Sequence, residues 1–254
     1  MADPASIGLK VRDKVIVITG GARGIGLATA TALHNLGAKV AIGDIDEVRV
    51  KESGAALGLD IYGKLDVTDP RSFSEFLDDV ERQLGPIDVL VNNAGIMPVG
   101  RIIDEPDAVT RRILDINVYG VIVGSKLAVQ RMVPRGSGHV INVASLAGEI
   151  YAVGLATYCA SKHAVVAFTD AARLEYRPAG VNFSAVLPTS PPEMNLLTPS
   201  MCQVPSGCST ALVRPAPTSE PASGSVSTMV ACQPRSTPTA AHCRCSSLPS
   251  TYSA

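Results

Sequence analysis

A tyrosine and a lysine four residues apart form the pair of side chains with the most evident chemical potential in the sequence. Tyr158 and Lys162 lie in a segment with helical periodicity, and residues at this spacing share one face of a helix. A neighbouring ammonium group favours the phenolate, so we expect the pKa of Tyr158 to move toward the working pH. The pair is a candidate general acid and base. A tyrosine and a lysine at this spacing are, however, usually only surface residues.

Two further polar side chains stand where the pattern predicts buried or strand-end positions. Asn117 lies within a long predicted helix, between Ile113, Ile116 and Val118. An amide is out of place there unless it forms hydrogen bonds. Ser145 follows an apolar run that predicts a strand. Both residues are therefore candidates for the same site.

A glycine-rich stretch after the first predicted strand indicates phosphate binding. Residues 19–26 read TGGARGIG, and Gly20, Gly24 and Gly26 allow the backbone to turn tightly. A pyrophosphate could then lie against the N-terminus of the following helix. The spacing differs from the commoner G-x-G-x-x-G pattern, and a plain strand-to-helix turn is the alternative.

An acidic residue ends the second predicted strand. From this position Asp44 can accept hydrogen bonds from a ribose 2′-hydroxyl, and its charge would repel a 2′-phosphate. The alternative is a solvated carboxylate or a cap at a strand end. Arg23 indicates the opposite preference, because a guanidinium near the phosphates tolerates a 2′-phosphate. The sequence favours NAD over NADP without excluding NADP.

The elements that must position these residues alternate between strands and helices. Near-continuous apolar strands separated by helices predict a parallel sheet that is covered on both faces. The fold class is therefore α/β, a doubly wound, Rossmann-like parallel sheet. The strands are predicted at 14–19, 39–43, 59–65, 87–91, 139–143 and 181–187. The helices are predicted at 25–36, 46–57, 70–84, 106–132 and 158–176.

The composition changes after Pro188. Residues 189–254 contain ten of the 18 prolines and five of the six cysteines, but no Ile, Phe, Lys or Asp. Burial of so few large apolar residues cannot offset the entropy lost when the chain is ordered. We therefore expect this segment to be largely disordered. We divide the chain into an N-terminal extension (1–13), a dinucleotide-binding and catalytic domain (14–188) and a Pro/Ser/Thr-rich tail (189–254).

The charge and the apolar pattern exclude several classes of protein. The formal net charge is −1 and basic residues form no block, which argues against a nucleic-acid partner or a membrane surface. No apolar run approaches the roughly 18 residues of a membrane span, and residues 1–13 lack the apolar core of a signal peptide. The cysteine spacings do not match a metal site. We expect a cytoplasmic protein without a metal.

Together, these motifs resemble those of the classical short-chain dehydrogenase/reductase family. The resemblance spans residues 14–188 and rests on TGGARGIG at 19–26, Asp66-Val67, NNAG at 92–95, Asn117, Ser145 and Tyr158-x3-Lys162. It implies an oxidoreductase that moves hydride between a nicotinamide cofactor and a ketone or secondary alcohol. If the apolar residues at 96–99 and 146–156 line the pocket, as in the family, the substrate is hydrophobic.

The resemblance also implies a role for each matched residue. Tyr158 would be the general acid/base, Ser145 would hydrogen-bond the substrate oxygen, and Asn117 would hold a water in a proton relay. Lys162 would bind the nicotinamide ribose and lower the pKa of Tyr158. The other matched residues would bind or border the cofactor, and they are Gly20, Arg23, Gly24, Ile25, Gly26, Asp44, Asp66, Val67, Asn93, Ala94 and Gly95.

The sequence departs from the family pattern after Pro188, where no seventh strand or substrate-covering helix is recognisable. Residues 181–187 would then form an unpaired apolar edge of the sheet. Two interpretations stay open: an active NAD(P)-dependent enzyme, or an impaired member that at most binds NAD(P). The resemblance further implies a homodimer that pairs through the helices predicted at 106–132 and 158–176.

Overall fold

Six parallel strands form a central sheet. The structure is a computed structural model that describes residues 10–189 and the strand Leu212–Val213. The strands pair in the order β3-β2-β1-β4-β5-β6. The predicted doubly wound α/β sheet is confirmed. The strands are β1 (Val15–Thr19), β2 (Lys39–Asp44), β3 (Ile61–Lys64), β4 (Val89–Asn92), β5 (Gly138–Val143) and β6 (Val181–Leu187).

Helices connect the strands and cover both faces of the sheet. Asp69 accepts a hydrogen bond from the backbone N–H of Arg71, and Pro70 follows as the first helical residue, so that helix begins and ends where the sequence predicts. The α-helices are α1 (Gly24–Asn35), α2 (Glu47–Leu57), α3 (Pro70–Leu84), α4 (Asp107–Leu114), α5 (Gly120–Met132) and α6 (Ala156–Tyr176).

The two faces of the sheet carry separate parts of the core. Every residue of β1 is buried, and its side chains alternate between the faces with the period of a strand. Val15 and Val17 pack in the same cluster as Phe73 of α3. Ile16 and Ile18 pack in the cluster on the other face. A strand covered on both sides explains the unbroken apolar run in the sequence.

The helical stretch before β5 differs from the regular helix predicted over 106–132. Between α4 and α5, Asp115–Tyr119 forms a π-helical turn, and Asn117 lies in it with no exposed surface. Such wide turns occur mainly as single insertions and often at functional sites. The Asn117 amide bonds to the backbone of another segment, a contact that periodicity cannot predict.

The same stretch is the only part of the described residues that is long and apolar enough to cross a membrane. Residues 107–135 have a mean hydropathy of 1.2 in their most apolar window. Half of that window is buried inside the protein, and core helices of folded domains pass the same test. Packing against the sheet therefore explains the apolar side chains.

The edge of the sheet at β6 requires one correction to the sequence analysis. Leu212–Val213 forms a short strand, β7, that pairs antiparallel with Leu187 and Val186. The end of β6 is therefore not an unpaired edge. A two-residue strand has no periodicity, so the sequence pattern could not indicate it. The predicted disorder of 189–254 is tested only at this strand and at Thr189, because the other tail residues, including the five tail cysteines, lie outside the described residues.

A buried polar network joins β4, β5 and α6 below the carboxyl ends of the strands. Asn92 lies beside Asn142 in the sheet, and the Asn92 Nδ2 donates to Asn142 Oδ1 at 2.9 Å. Asn142 Nδ2 donates in turn to Thr169 Oγ1 at 2.9 Å. All three residues are buried, so each hydrogen bond offsets the cost of removing a polar group from water.

Replacing Asn142 by alanine should lower the free energy of unfolding by about 2–3 kcal/mol, because it removes two buried hydrogen bonds and leaves a small void. Urea unfolding measures the change. Asn182, which is exposed on β6, provides the control, and Asn182→Ala should change stability by less than about 0.5 kcal/mol. Equal losses in the two variants would contradict a structural role for the network.

Candidate active site

A large cavity opens at the carboxyl ends of the six parallel strands. Its volume is about 1260 Å³, and segments that follow each of the six strands contribute to its wall. Ligands of doubly wound sheets bind in this position. The predicted site residues that line it are Gly20, Arg23, Ile25, Asp44, Asp66, Val67, Asn93, Ala94, Gly95, Ser145, Tyr158 and Lys162. Gly24, Gly26 and Asn117 do not form part of the cavity wall.

The turn after β1 passes so close to the end of β4 that no side chain fits at Gly20 or Gly26. Gly20 has a φ of +65°, and a Cβ there would lie 2.8 Å from the Cα of Ala94. A Cβ on Gly26 would overlap the carbonyl oxygen of Gly20 and the Asn93 amide. Gly24 has open space around it, so only its φ of +57° favours glycine.

The same turn leads into the uncapped N-terminus of α1. Arg23 is the N-cap residue, and its side chain makes no capping hydrogen bond. The first N–H groups of a helix have no partner within the helix and attract anions. A backbone cradle with free N–H groups beside a large cavity fits the pyrophosphate of a dinucleotide.

Thr19 fixes this turn to the end of β4, a role that the sequence analysis missed. The Thr19 hydroxyl accepts hydrogen bonds from the backbone N–H groups of Asn93 and Ala94, each at 3.0 Å. Asn93 Nδ2 donates to the carbonyl oxygens of Thr19 (2.9 Å) and Gly20 (3.1 Å). A threonine at the end of a β-branched run looks like an ordinary strand residue, so its type alone gives no signal.

Asp44 is buried at the edge of the cavity, with only 7% of its surface exposed. Its Oδ2 accepts a hydrogen bond from the N–H of Ala22, and its Oδ1 accepts one from the N–H of Asp46, both at 3.1 Å. It is therefore not a solvated carboxylate, although the bond to Asp46 is a local one of the kind a cap makes. These bonds hold a negative charge in a fixed position at the cavity wall.

The Asp66 carboxylate mainly supports the turn after β3. Its Oδ1 accepts hydrogen bonds from the N–H and the hydroxyl of Thr68 at 2.9 and 2.7 Å. Ser72 accepts a hydrogen bond from the Asp66 N–H at 3.1 Å. Asp66 and the adjacent Val67 then form the cavity wall beside Asp44.

Tyr158, Ser145 and Lys162 meet at the other end of the predicted site. The Ser145 side chain is hydrogen-bonded to the Tyr158 hydroxyl, and Ser145 Oγ also accepts from the N–H of Ala147. Lys162 Nζ donates to the carbonyl oxygen of Val143 at 2.9 Å and lies 5.8 Å from the centre of the Tyr158 ring. The structure therefore brings the three candidate residues together.

The ionisation of this group differs from the sequence-based expectation. Burial raises the pKa of Tyr158 above its usual value, and the hydrogen bond with Ser145 only partly opposes this. Lys162 is not among the groups that shift the pKa of Tyr158, since its Nζ donates to the carbonyl oxygen of Val143 and lies 5.8 Å from the centre of the ring. The lowering of the Tyr158 pKa by Lys162 stays a prediction. Burial lowers the pKa of Lys162 to about 8.

Asn117 connects the loop after β4 to α6. Its Oδ1 accepts from the N–H of Ile96, and its Nδ2 donates to the carbonyl oxygen of Ile96, both at 2.9 Å. The Nδ2 also donates to Ser161 Oγ at 3.1 Å, and Ser161 donates to the carbonyl oxygen of Tyr158 at 2.7 Å. The side chain thus holds the site together, and the water-holding role implied by the resemblance stays a prediction.

Cys159 and His163, the chain neighbours of Tyr158 and Lys162, make packing contacts with nearby side chains. Cys159 is buried and packs with Ala147 and Leu155. The His163 ring stacks on Tyr151 at 5.3 Å, with its Nδ1 2.9 Å from the carbonyl oxygen of Cys159. Across residues 10–189, no three His, Cys, Asp or Glu side chains are grouped in a way that could hold a metal ion.

The fold and the cavity are those of a dinucleotide-binding α/β protein, and Tyr158 lies in the cavity wall. The profile of the short chain dehydrogenase family matches residues 14–191. The chain belongs to this family. The family resemblance found in the sequence is therefore confirmed.

Comparisons with individual proteins agree with this assignment. The chain is 38% identical over 181 residues to the probable oxidoreductase EphD of Mycobacterium tuberculosis, covering 69% of this chain but only 31% of EphD. It is 37% identical over 180 residues to the 3-alpha-(or 20-beta)-hydroxysteroid dehydrogenase of the same organism, covering 69% of this chain and 68% of that protein.

A similar solved structure is also a dehydrogenase. The crystal structure of an NAD⁺-bound xylitol dehydrogenase matches with a TM-score of 0.67 and 32% identity, covering 71% of each chain. The family and this neighbour imply that the cavity takes a nicotinamide cofactor.

Replacing Gly26 by alanine should abolish NADH binding, because the added methyl group would push the turn after β1 away from the end of β4. Fluorescence titration with NADH measures the affinity. Gly58→Ala is the control, since Gly58 has open space around it and does not line the cavity, and only its φ of +67° favours glycine. It should cost about 1 kcal/mol of stability and leave binding intact. Unchanged affinity in the Gly26 variant would contradict the cradle.

Proposed function

We propose that the protein is an NAD-dependent oxidoreductase that interconverts a secondary alcohol and a ketone, with Tyr158 as general acid and base. The observation that carries the proposal is the grouping of Tyr158, Ser145 and Lys162 in the wall of a dinucleotide-sized cavity. A bound nicotinamide cofactor would supply or accept the hydride. The residues of this chain would handle the proton.

In the direction of ketone reduction, Tyr158 is the proton donor. Its raised pKa keeps the phenol neutral at physiological pH, so the proton is available. Ser145 already bonds to the Tyr158 hydroxyl and can donate its own hydrogen bond to the same substrate oxygen. After the transfer, the positive charge of Lys162 stabilises the phenolate. In alcohol oxidation the phenolate takes the proton back.

The fixed charge of Asp44 supports NAD rather than NADP as the cofactor. The carboxylate is held by the N–H groups of Ala22 and Asp46, so it cannot turn away from a ligand without losing two hydrogen bonds. A 2′-phosphate near it would meet like charge. Arg23 lies at the surface of the same turn and its exposed guanidinium is free to move aside.

A hydrophobic secondary alcohol is the proposed substrate class. The wall near Tyr158 includes Ile96 and Met97, and Met97 packs with the apolar cluster around Leu155. Exposed apolar side chains continue on the two neighbouring loops, where Val99 and Val153 lie. The name of the hydroxysteroid dehydrogenase supports this class. The name of the xylitol dehydrogenase indicates a polyol as the alternative substrate class.

We also propose the homodimer that the sequence predicts, through the long helical segments. The surfaces of α4, the π-turn and α6 expose Leu114, Tyr119 and Leu174, respectively. Large apolar side chains of this kind favour contact with a partner surface. The cytoplasmic location stays a prediction from the sequence.

Replacing Tyr158 by phenylalanine should lower kcat by about 100-fold or more, because the variant has no proton to transfer. NADH and NADPH oxidation with cyclohexanone and with a steroid ketone measure turnover, and xylitol oxidation tests the polyol alternative. Tyr176→Phe on the same helix is the control and should keep full activity. Unchanged turnover in the Tyr158 variant would refute the assigned role. NADH binding without any turnover by the unaltered protein would identify the impaired member of the family.

The reduction reaction should weaken as the pH rises through about 8. Lys162 carries its charge below this pKa and loses it above, so less support remains for the developing phenolate. The pH dependence of kcat/KM for NADH reports this ionisation in the free enzyme. Lys162→Met has no charge at any pH and should give a low, flat profile between pH 7 and 9. A decline only near the ordinary lysine value of 10.5 would contradict the assignment.

A further inference from the structure

Tyr158 occupies a part of its helix that is not stabilised by the helix alone. α6 begins at Ala156, so Tyr158 lies in the first turn, and the N-cap residue Leu155 makes no side-chain capping bond. The first N–H groups of a helix have no partner within the helix, and helix ends fray most readily. The position of the Tyr158 hydroxyl therefore depends on contacts that hold the first turn from outside.

Glu105 provides such a contact. Its Oε1 accepts a hydrogen bond from the hydroxyl of Thr157, the residue before Tyr158, at 2.7 Å. The same oxygen accepts a hydrogen bond from the hydroxyl of Thr110 in α4 at 2.6 Å. These two bonds hold the pKa of Glu105 below its usual value, so the carboxylate is charged at neutral pH. Hydrogen bonds to a charged acceptor are stronger than those between neutral groups, and negative charge is favourable beside a helix N-terminus.

Other contacts also join the loop after β4 to the region where α6 begins, but they do not bond to a residue in the first turn of α6. The N–H of Gly100 donates to the carbonyl oxygen of Gly154 at 2.9 Å, which ties the loop after β4 to the loop before α6. Met97 packs against the apolar cluster that includes Leu155. These contacts hold the loops, whereas the Glu105 bond holds the residue next to the proposed acid and base.

We propose that Glu105 is a positioning residue for the reaction, which holds the first turn of α6 and the Tyr158 hydroxyl through Thr157. The proposal rests on the proposed function of Tyr158. Lys162 lies one turn further into the helix, where burial and the bond to Val143 hold it independently. Loss of Glu105 should therefore disturb proton transfer while leaving cofactor binding intact.

The kinetic test uses the full-length protein with matched variants. Glu105→Ala and Thr157→Val should each lower kcat by about tenfold, since small displacements of an acid or base are costly. The dissociation constant for NADH should stay within about twofold, because the interaction lost is not a binding one. Glu105→Gln should keep kcat within about threefold of the unaltered protein, because its amide oxygen accepts the same hydroxyl protons.

Two further variants separate positioning from a general loss of stability. Thr110→Val removes only the bond from α4 and should leave kcat unchanged. Glu105→Ala combined with Thr157→Val should be no slower than either single variant, because both remove one shared contact. Additive losses, or a Glu105→Gln variant as slow as Glu105→Ala, would overturn the proposal.

Hydrogen exchange followed by mass spectrometry tests the proposal without relying on turnover. Peptides from residues 155–161 should exchange faster in Glu105→Ala and Thr157→Val, whereas peptides from 163–176 should not change. Unchanged exchange at 155–161 would overturn the positioning role. If the unaltered protein reduces none of the ketones, the proposed function fails, and the exchange result alone then decides the role of Glu105.

Discussion

The close approach of the turn after β1 to the end of β4 is the constraint on which the rest of the site depends. At this point the strand order reverses, because β2 lies on one side of β1 and β4 on the other, and the cavity opens here. Gly20 and Gly26 allow the approach, and the Thr19 hydroxyl secures it with two backbone hydrogen bonds. The requirement for glycine is thus steric at Gly26 and both steric and conformational at Gly20.

The same constraint extends toward the proposed catalytic side chains through hydrogen bonds and a short stretch of chain. Asn93 is fixed by Thr19, and the chain then runs to Ile96, whose backbone is held by Asn117. Asn117 also bonds to Ser161, one residue before Lys162. Each of these bonds lies in a partly or fully buried setting, where an unmade bond is costly. Buried contacts therefore connect the proposed cofactor cradle to the proposed proton-transfer group.

The sequence predicted those features that depend on local rules. Asp69-Pro70 marked the start of α3, and the unbroken apolar run of β1 indicated a doubly covered strand. Other features arise only from contacts between distant segments. The π-turn at Asn117 accompanies bonds to a loop about twenty residues away. The raised pKa of Tyr158 reflects burial, which cannot be read from a spacing of four residues.

The two parts of the proposed site, one for cofactor and proton transfer and one for substrate, differ in their surroundings. The residues proposed to bind the cofactor and move the proton lie between Gly20 and Lys162, and buried hydrogen bonds within that range hold them. The loops nearest Tyr158 instead present exposed apolar side chains, with Ile103 and Tyr151 each 81% exposed. Exposed side chains adapt to what they meet, whereas buried polar networks do not. Buried bonds within residues 14–188 therefore hold the residues proposed for the chemistry, whereas the proposed choice of substrate would depend on the surfaces around the opening.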